Sequence, residues 1–258
     1  MVRLTPKQVQ FFRDYGYLQV SGIFTEQELK EMSREYDRLF REKNNPKMET
    51  SRNSARLHFQ VLSIHNLEFH SKVFGKLLNN ENLLDALQGV MGTANILLHH
   101  TKAHNKPARN GAPCLMHQDY HYFPFKNDSM TAAFINFDDA VPENGGLCIY
   151  PRSHKFGPLK DVGTIEKGEA FHYMDPKEWP IDKATPVVTK RGDVLFLSYL
   201  TLYGSYRNLS DRVRRMLLIQ VFAADDEPIK DTHRSPGQGL VLRGRNDQRE
   251  ASHMFVTS

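Results

Sequence analysis

The chain has 258 residues, 40% hydrophobic and 25% charged, with 34 Lys and Arg against 30 Asp and Glu, an ordinary globular composition. A formal charge of +4 scattered among acids leaves no basic stripe for nucleic acid, and no stretch reaches the ~18 consecutive apolar residues of a membrane span. Cys114 and Cys148 are too few for a disulfide framework and lie in no zinc-ligand spacing. They read as buried thiols of a reducing compartment, and with no apolar leader segment the expectation is a soluble, cytoplasmic protein acting on a small molecule as a monomer or homo-oligomer.

The first ~90 residues carry helical signals. Thr5-Pro6-Lys7-Gln8 is a capping box with proline at the first helical position, and Gly16 closes the helix. Tyr17 to Val20 reads as a short strand, and a second capping box at Thr25 to Glu28 opens a helix carrying Leu29, Met32, Tyr36, Leu39 and Phe40 at helical spacing. The polar run Glu42 to Asn53 reads as a loop, and Leu83, Leu84, Leu87, Val90 and Met91 mark a third helix before Gly92. From Asn95 the pattern turns to short strands: Ile96–Leu98, Leu115–Phe125, Met130–Phe137, Gly146–Tyr150, Asp193–Phe196 and Arg214–Phe222. Such spacing predicts a sandwich or barrel. Lys155 to Pro186 reads as a long loop or lid, and the polar stretch from Asp225 to Ser258 as a mobile tail.

The segment Met116-His117-Gln118-Asp119-Tyr120-His121 is the most informative. On a strand, alternate residues share a face, so His117 and Asp119 project together, as two ligands of a 2-His-1-carboxylate iron site do. A bare His-x-Asp also recurs as a surface histidine beside a hydrogen-bonded aspartate. In the run Arg212-Val213-Arg214-Arg215, alternation puts Arg214 with Met216 and Leu218 on one face and Arg215 on the other, so one arginine points inward.

In this context the chain resembles the phytanoyl-CoA dioxygenase family of Fe(II)/2-oxoglutarate-dependent oxygenases. The resemblance rests on Leu4-Thr5-Pro6 to Gly16-Tyr17; His100-Thr101 and Lys106-Pro107 before His117-Gln118-Asp119 and His121 to Phe125; Glu143 to Leu147 with Pro151 to Lys155; and Gly192 to Phe196 followed by Gly204-Ser205, Asn208, Ser210 and Arg214. It implies a mainly β fold with flanking helices, a double-stranded β-helix or jelly roll. The chain then divides as a single domain into a helical buttress (1–94), a jelly-roll core (95–224) and a C-terminal tail (225–258). The resemblance further implies Fe(II), 2-oxoglutarate and O2 as cofactor and cosubstrates, with hydroxylation of a small organic substrate as the activity. His117 and Asp119 resemble iron ligands, and Arg214, assisted by Ser205 and with Lys102 nearby, looks like the grip on the far carboxylate of 2-oxoglutarate. His121 and Tyr120 fall to the substrate pocket.

One residue departs from the family pattern. Tyr203 stands directly before Gly204-Ser205, where the family has its second histidine ligand, eleven residues from the arginine. A phenol binds a metal well only after losing a proton at an ordinary pKa near 10. Three alternatives stay open: Tyr203 ligates or leaves a water in place in an atypical oxygenase; the chain is a catalytically degenerate binding protein; or His121 or His104, the latter expected on a loop, completes the shell.

Overall fold

Threonine caps start the first two helices. The computed structural model describes residues 2–42, 50–54, 60–166, 169–230 and 234–246. In α1 (Pro6–Tyr15) the Thr5 hydroxyl accepts from the Gln8 N–H and the Gln8 side chain accepts from the Thr5 N–H; the helix ends at Gly16, whose φ of 79° is left-handed. Thr25 and Glu28 repeat the box at α2 (Glu26–Arg41). Two more helices follow, α3 (Lys72–Leu77) and α4 (Glu81–Met91).

The strands are β1 (Tyr17–Val20), β2 (Thr50–Ser54), β3 (Gln60–His65), β4 (Ile96–Lys106), β5 (Cys114–His117), β6 (Thr131–Asn136) and β7 (Leu147–Ile149), then β8 (Thr164–Glu166), β9 (Glu169–Phe171), β10 (Thr185–Pro186), β11 (Val194–Ser198), β12 (Tyr203–Ser205), β13 (Arg214–Ala223) and β14 (Val241–Arg243). A major sheet runs β1-β11-β6-β13-β4-β3-β2 with β14 also on β4, a minor sheet runs β10-β7-β12-β5, and β8-β9 is a separate hairpin. All named strand pairings are antiparallel. This is the expected jelly roll.

Alternation along β13 assigns the two faces of the major sheet. Leu217, Ile219 and Val221 join Met32, Tyr36, Leu39 and Leu87 in a core under the helices, whereas Met216 and Leu218 join Phe134, Leu147, Ile149 and Tyr203 between the sheets. The two arginines obey the same rule. Arg215 points outward to Asp138 and Asp37, and Arg214, 2% exposed, points inward.

Several expectations need correction. The region before residue 95 also supplies β2 and β3 to the major sheet, so the loop expected from Glu42 to Asn53 contains part of a strand; residues 43–49 lie outside the described residues. A short α3 was not expected, and the strand at Ile96 runs on to Lys106, which puts His104 on a strand rather than a loop. The stretch 155–186 carries the β8-β9 hairpin and β10. Within the supposed tail, β14 pairs with β4, while residues 231–233 and 247–258 lie outside the described residues. Cys148 is buried as expected, but Cys114 is exposed at the start of β5. No helix among the described residues is long and apolar enough to cross a membrane.

Candidate functional site

Pairing of β5 with β12 sets Tyr203 opposite His117, with ring centroids 4.3 Å apart. The strand expected from Leu115 to Phe125 ends at His117, and Asp119 begins a 3-10 turn. Asp119 therefore reaches the inner cleft from a turn, and its Oδ1 lies 3.6 Å from His117 Nε2. The His117 Nδ1–H donates to the Leu115 carbonyl at 2.8 Å, which orients the ring and leaves Nε2 toward Asp119. Gln118, fully buried between the two, ties the segment to neighbouring loops: its amide donates to the Leu200 and Gly157 carbonyls and accepts from the Leu159 N–H.

Both carboxylate oxygens of Asp119 are held. The Tyr203 hydroxyl donates to Oδ1 at 2.8 Å, and Gln220 Nε2, from β13 across the cleft, donates to Oδ2 at 2.5 Å. Burial raises the pKa of Asp119, opposed by His117 and by the Tyr203 bond. Burial and the neighbouring Asp119 hold the Tyr203 hydroxyl well above its ordinary pKa, so it stays a neutral phenol that donates. Burial lowers the His117 pKa, but Cys114 and Asp119 outweigh it and bring the imidazole up to about 9.

A second cluster lies further along the same inner face. Arg214 and Lys106 are cross-strand partners on β13 and β4, and they are 2% and 1% exposed. Lys106 Nζ donates to Ser205 Oγ at 2.6 Å and to the Tyr206 carbonyl at 2.7 Å. Arg214 Nη1 contacts Met216 Sδ at 3.2 Å, and its Nε is buried with no hydrogen-bond partner. Burial, then Arg214, pushes the Lys106 pKa well below its ordinary value, and burial brings Arg214 down to about 10. Two adjacent buried cations with an unused N–H form a costly arrangement that a bound carboxylate would relieve. The Asn144-Gly145-Gly146 turn makes room for it: Gly145 has φ of 84°, and a Cβ there would lie 2.4 Å from the Lys106 Cδ.

The remaining expected residues fall as follows. Lys102 is on the same face of β4 as Lys106 but pairs with Leu218 and His65, away from Ser205. His121 stacks on His172 with centroids 5.9 Å apart, and its Nε2 is buried without a partner. Tyr120 packs edge-on against Tyr199 in an apolar cluster with Phe123 and Phe125. Neither His121 nor His104 stands beside His117 and Asp119 as a third imidazole. Among the described residues no group of three His, Cys, Asp or Glu side chains is disposed to hold a metal. Lys106 and Gln118 entered the sequence reading only as motif residues without a role and Gln220 not at all; alternation along β4 and β13, which puts Lys106 with Lys102 and Gln220 with Arg214, is the signal that carries two of them.

These residues fit an Fe(II) and 2-oxoglutarate pair in two respects: an imidazole nitrogen and a carboxylate converge at one point, and an anion cradle with an orphaned guanidinium N–H lies on the facing wall. Beside this pair stands the Tyr203 phenol, its ring against His117 and its hydroxyl on Asp119.

Comparison with known proteins identifies the family and the fold. The family model described as phytanoyl-CoA dioxygenase (PhyH) matches residues 12–216. The chain is 27% identical over 234 residues to the probable alpha-ketoglutarate-dependent hypophosphite dioxygenase of Stutzerimonas stutzeri, covering 86% of this chain and 80% of that one. It is 24% identical over 237 residues to the human peroxisomal phytanoyl-CoA dioxygenase, covering 86% and 69%. Among solved structures it resembles EctD from S. alaskensis with bound Fe (TM-score 0.71, 17% identity, 88% and 79% covered). A second is the epimerase SnoN in complex with Fe3+ and alpha-ketoglutarate (TM-score 0.71, 19% identity, 93% and 96% covered). The structural likenesses establish the fold, and the family match covers most of the chain, residues 12–216: the chain belongs to the phytanoyl-CoA dioxygenase family.

Proposed function

We propose that this chain is an Fe(II)/2-oxoglutarate-dependent oxygenase, hydroxylating a small substrate at an atypical metal site. The observation that carries the reading is the juxtaposition, across one cleft, of the His117–Asp119 pair with the Arg214–Lys106–Ser205 cradle. His117 Nε2 and Asp119 would hold the iron, and Arg214 with Lys106 the far carboxylate of 2-oxoglutarate. When bound, the metal supplies the activation of O2 that no side chain can.

The chain's own part is placement. Gln220 fixes one oxygen of Asp119 and Tyr203 the other, so the carboxylate presents a single orientation. Tyr203 acts as a neutral donor to Asp119 rather than as an anionic ligand, in keeping with its raised pKa. Gln118 anchors residues 157 and 159 beside the metal-binding segment, which keeps this loop over the cleft and water out.

The test is conversion of 2-oxoglutarate to succinate by the Fe(II)-loaded protein under O2. We expect succinate release that Asp119→Ala abolishes. Tight 2-oxoglutarate binding with no succinate under any metal loading would instead establish a binding protein that has kept the cradle and lost the chemistry.

A further inference from the structure

We propose that Tyr203 is a modification site of its own cleft: turnover with no small-molecule substrate inserts oxygen into the Tyr203 ring beside its hydroxyl, converting the phenol to a vicinal diphenol. The inference rests on the oxygenase reading above and adds to it a reaction of the chain with itself.

The ring stands at the metal-binding pair. Pairing of β12 with β5 sets Tyr203 opposite His117, the two rings tilted by 45° with centroids 4.3 Å apart. Its hydroxyl lies 2.8 Å from Asp119 Oδ1, the same oxygen that is 3.6 Å from His117 Nε2. A metal shared by that nitrogen and that carboxylate is in reach of the phenol, and the ring carbons flanking the hydroxyl-bearing carbon come with it. Those carbons are the most electron-rich of the ring, because the hydroxyl oxygen donates electron density to them.

Packing keeps the ring in place. Tyr203 is 8% exposed, lies edge-on to Phe134 with centroids 5.6 Å apart, and shares a cluster with Leu147, Ile149, Met216 and Leu218. A chamber that excludes water leaves an oxidant formed inside it few targets besides its own walls. Other oxidisable side chains are less well placed. Tyr122 meets the His117 ring edge-on with centroids 6.3 Å apart, and its hydroxyl accepts from the His172 N–H. The Met216 thioether accepts from Arg214 Nη1 at 3.2 Å, at the cradle rather than at Asp119. Tyr199 donates to Asp128 and Tyr206 to the Ala184 carbonyl, neither of which touches the pair.

The step balances with the cosubstrates already named. 2-Oxoglutarate loses the carboxylate next to its keto group as CO2 and takes one atom of O2 to become succinate. The second atom enters a ring C–H bond, forming the new C–O bond, and the displaced hydrogen ends on the new hydroxyl or in water. Of the four electrons that reduce O2, two come from the decarboxylation and two from the C–H bond. The metal supplies the activation of O2, and the chain supplies the ring.

The experiment incubates the Fe(II)-loaded protein with 2-oxoglutarate and isotopically heavy O2, adds no other substrate, and weighs the protein and its tryptic peptides. The peptide that ends at Arg207 carries Tyr199, Tyr203 and Tyr206, so fragmentation assigns the position with two tyrosines as internal controls. We expect a gain of one heavy oxygen on Tyr203 that grows with the succinate released, and its loss both in Asp119→Ala and when 2-oxoglutarate is omitted. The omission keeps the test decisive even where Asp119→Ala fails to fold. Succinate release with Tyr203 unmodified, or with the oxygen on Met216 or Tyr122 instead, would overturn the inference and leave the oxygenase reading standing. Oxygen on Tyr203 that needs no 2-oxoglutarate, or that comes from water, would overturn it as adventitious oxidation. Neither succinate nor modification would overturn the inference and the oxygenase reading together.

Discussion

Replacing Lys106 by methionine should move stability and cosubstrate binding in opposite directions. The ammonium is 1% exposed, lies beside Arg214, and among the described residues is compensated by Ser205 Oγ and the Tyr206 carbonyl. Its desolvation and its repulsion from Arg214 cost several kcal/mol, as for buried ions in general. Methionine keeps most of the stem that fills the space in front of Gly111 and Gly145 and removes the charge, at the expense of leaving the Tyr206 carbonyl without this donor, about 1–3 kcal/mol. The balance is a variant as stable as the parent or more so by up to about 2 kcal/mol, at about 2–4 °C per kcal/mol for a chain of this size. Binding of 2-oxoglutarate loses one charge-assisted hydrogen bond, about 1.5–3 kcal/mol, or roughly 10- to 100-fold in Kd. Thermal melts and calorimetric titration read the two quantities on the same samples. A melting temperature lowered by more than about 5 °C with an unchanged Kd would refute the reasoning and make Lys106 a structural strut.

Three further outcomes follow from the geometry. Gly145→Ala forces a Cβ to within 2.4 Å of the Lys106 Cδ at a φ of 84°, so it should destabilise the protein by about 1–2 kcal/mol and weaken 2-oxoglutarate binding; denaturant melts with a binding titration check both. Tyr203→Phe removes the donor to Asp119 Oδ1 and should leave the fold intact within about 1–2 kcal/mol while changing metal affinity, which equilibrium dialysis with Fe(II) under anaerobic conditions measures. Acid should destabilise the metal-free protein through the half-buried histidines on the inner face of β3 and β4. Burial and Lys102 push His65 down to about 4, and burial holds His100 and His104 well below the ordinary range, so between pH 6.5 and 4 the unfolded chain binds the protons that the folded chain refuses. Stability is then complete above pH 6.5 and falls as pH drops, by on the order of 1 kcal/mol per pH unit for each histidine. Denaturant titrations from pH 7.5 to 5 should show a shallower slope for His100→Gln, and an unchanged slope would contradict the assignment.

How far the sequence spoke for itself depended on whether a feature was local. The capping boxes at Thr5 and Thr25 and the alternation through Arg214 and Arg215 are written in neighbouring residues, and each holds in the structure. The order of helices then strands pointed to a sandwich or barrel, and the family resemblance carried by the His-x-Asp and Gly-Ser…Arg motifs implied the jelly roll. What escaped depends on contacts between distant segments. β2 lies in a polar stretch and β3 in a short run carrying Val61, Leu62 and Ile64, and no local pattern announces that β2 pairs with β3 and β3 with β4. Asp119 was expected on a strand with His117 and stands instead in a 3-10 turn, because the chain leaves β5 at His117 and Gln118 turns inward to bond Leu200 and Gly157. Lys106 belongs with Ser205 across 99 positions of chain, and Gln220 with Asp119 across 101, so neither role is visible without register.

The central claim is that His117 and Asp119, with Tyr203 a neutral donor beside them, still assemble the cofactor site with the Arg214–Lys106 cradle. Anaerobic titration of the metal-free protein with Fe(II) and 2-oxoglutarate, recording the visible charge-transfer band of the chelate, tests it most directly. The account predicts that the band appears, is lost in Asp119→Ala, and requires more 2-oxoglutarate in Lys106→Met. No band in the parent protein, with a band restored in Tyr203→His, would contradict it and show that the tyrosine has closed the metal site.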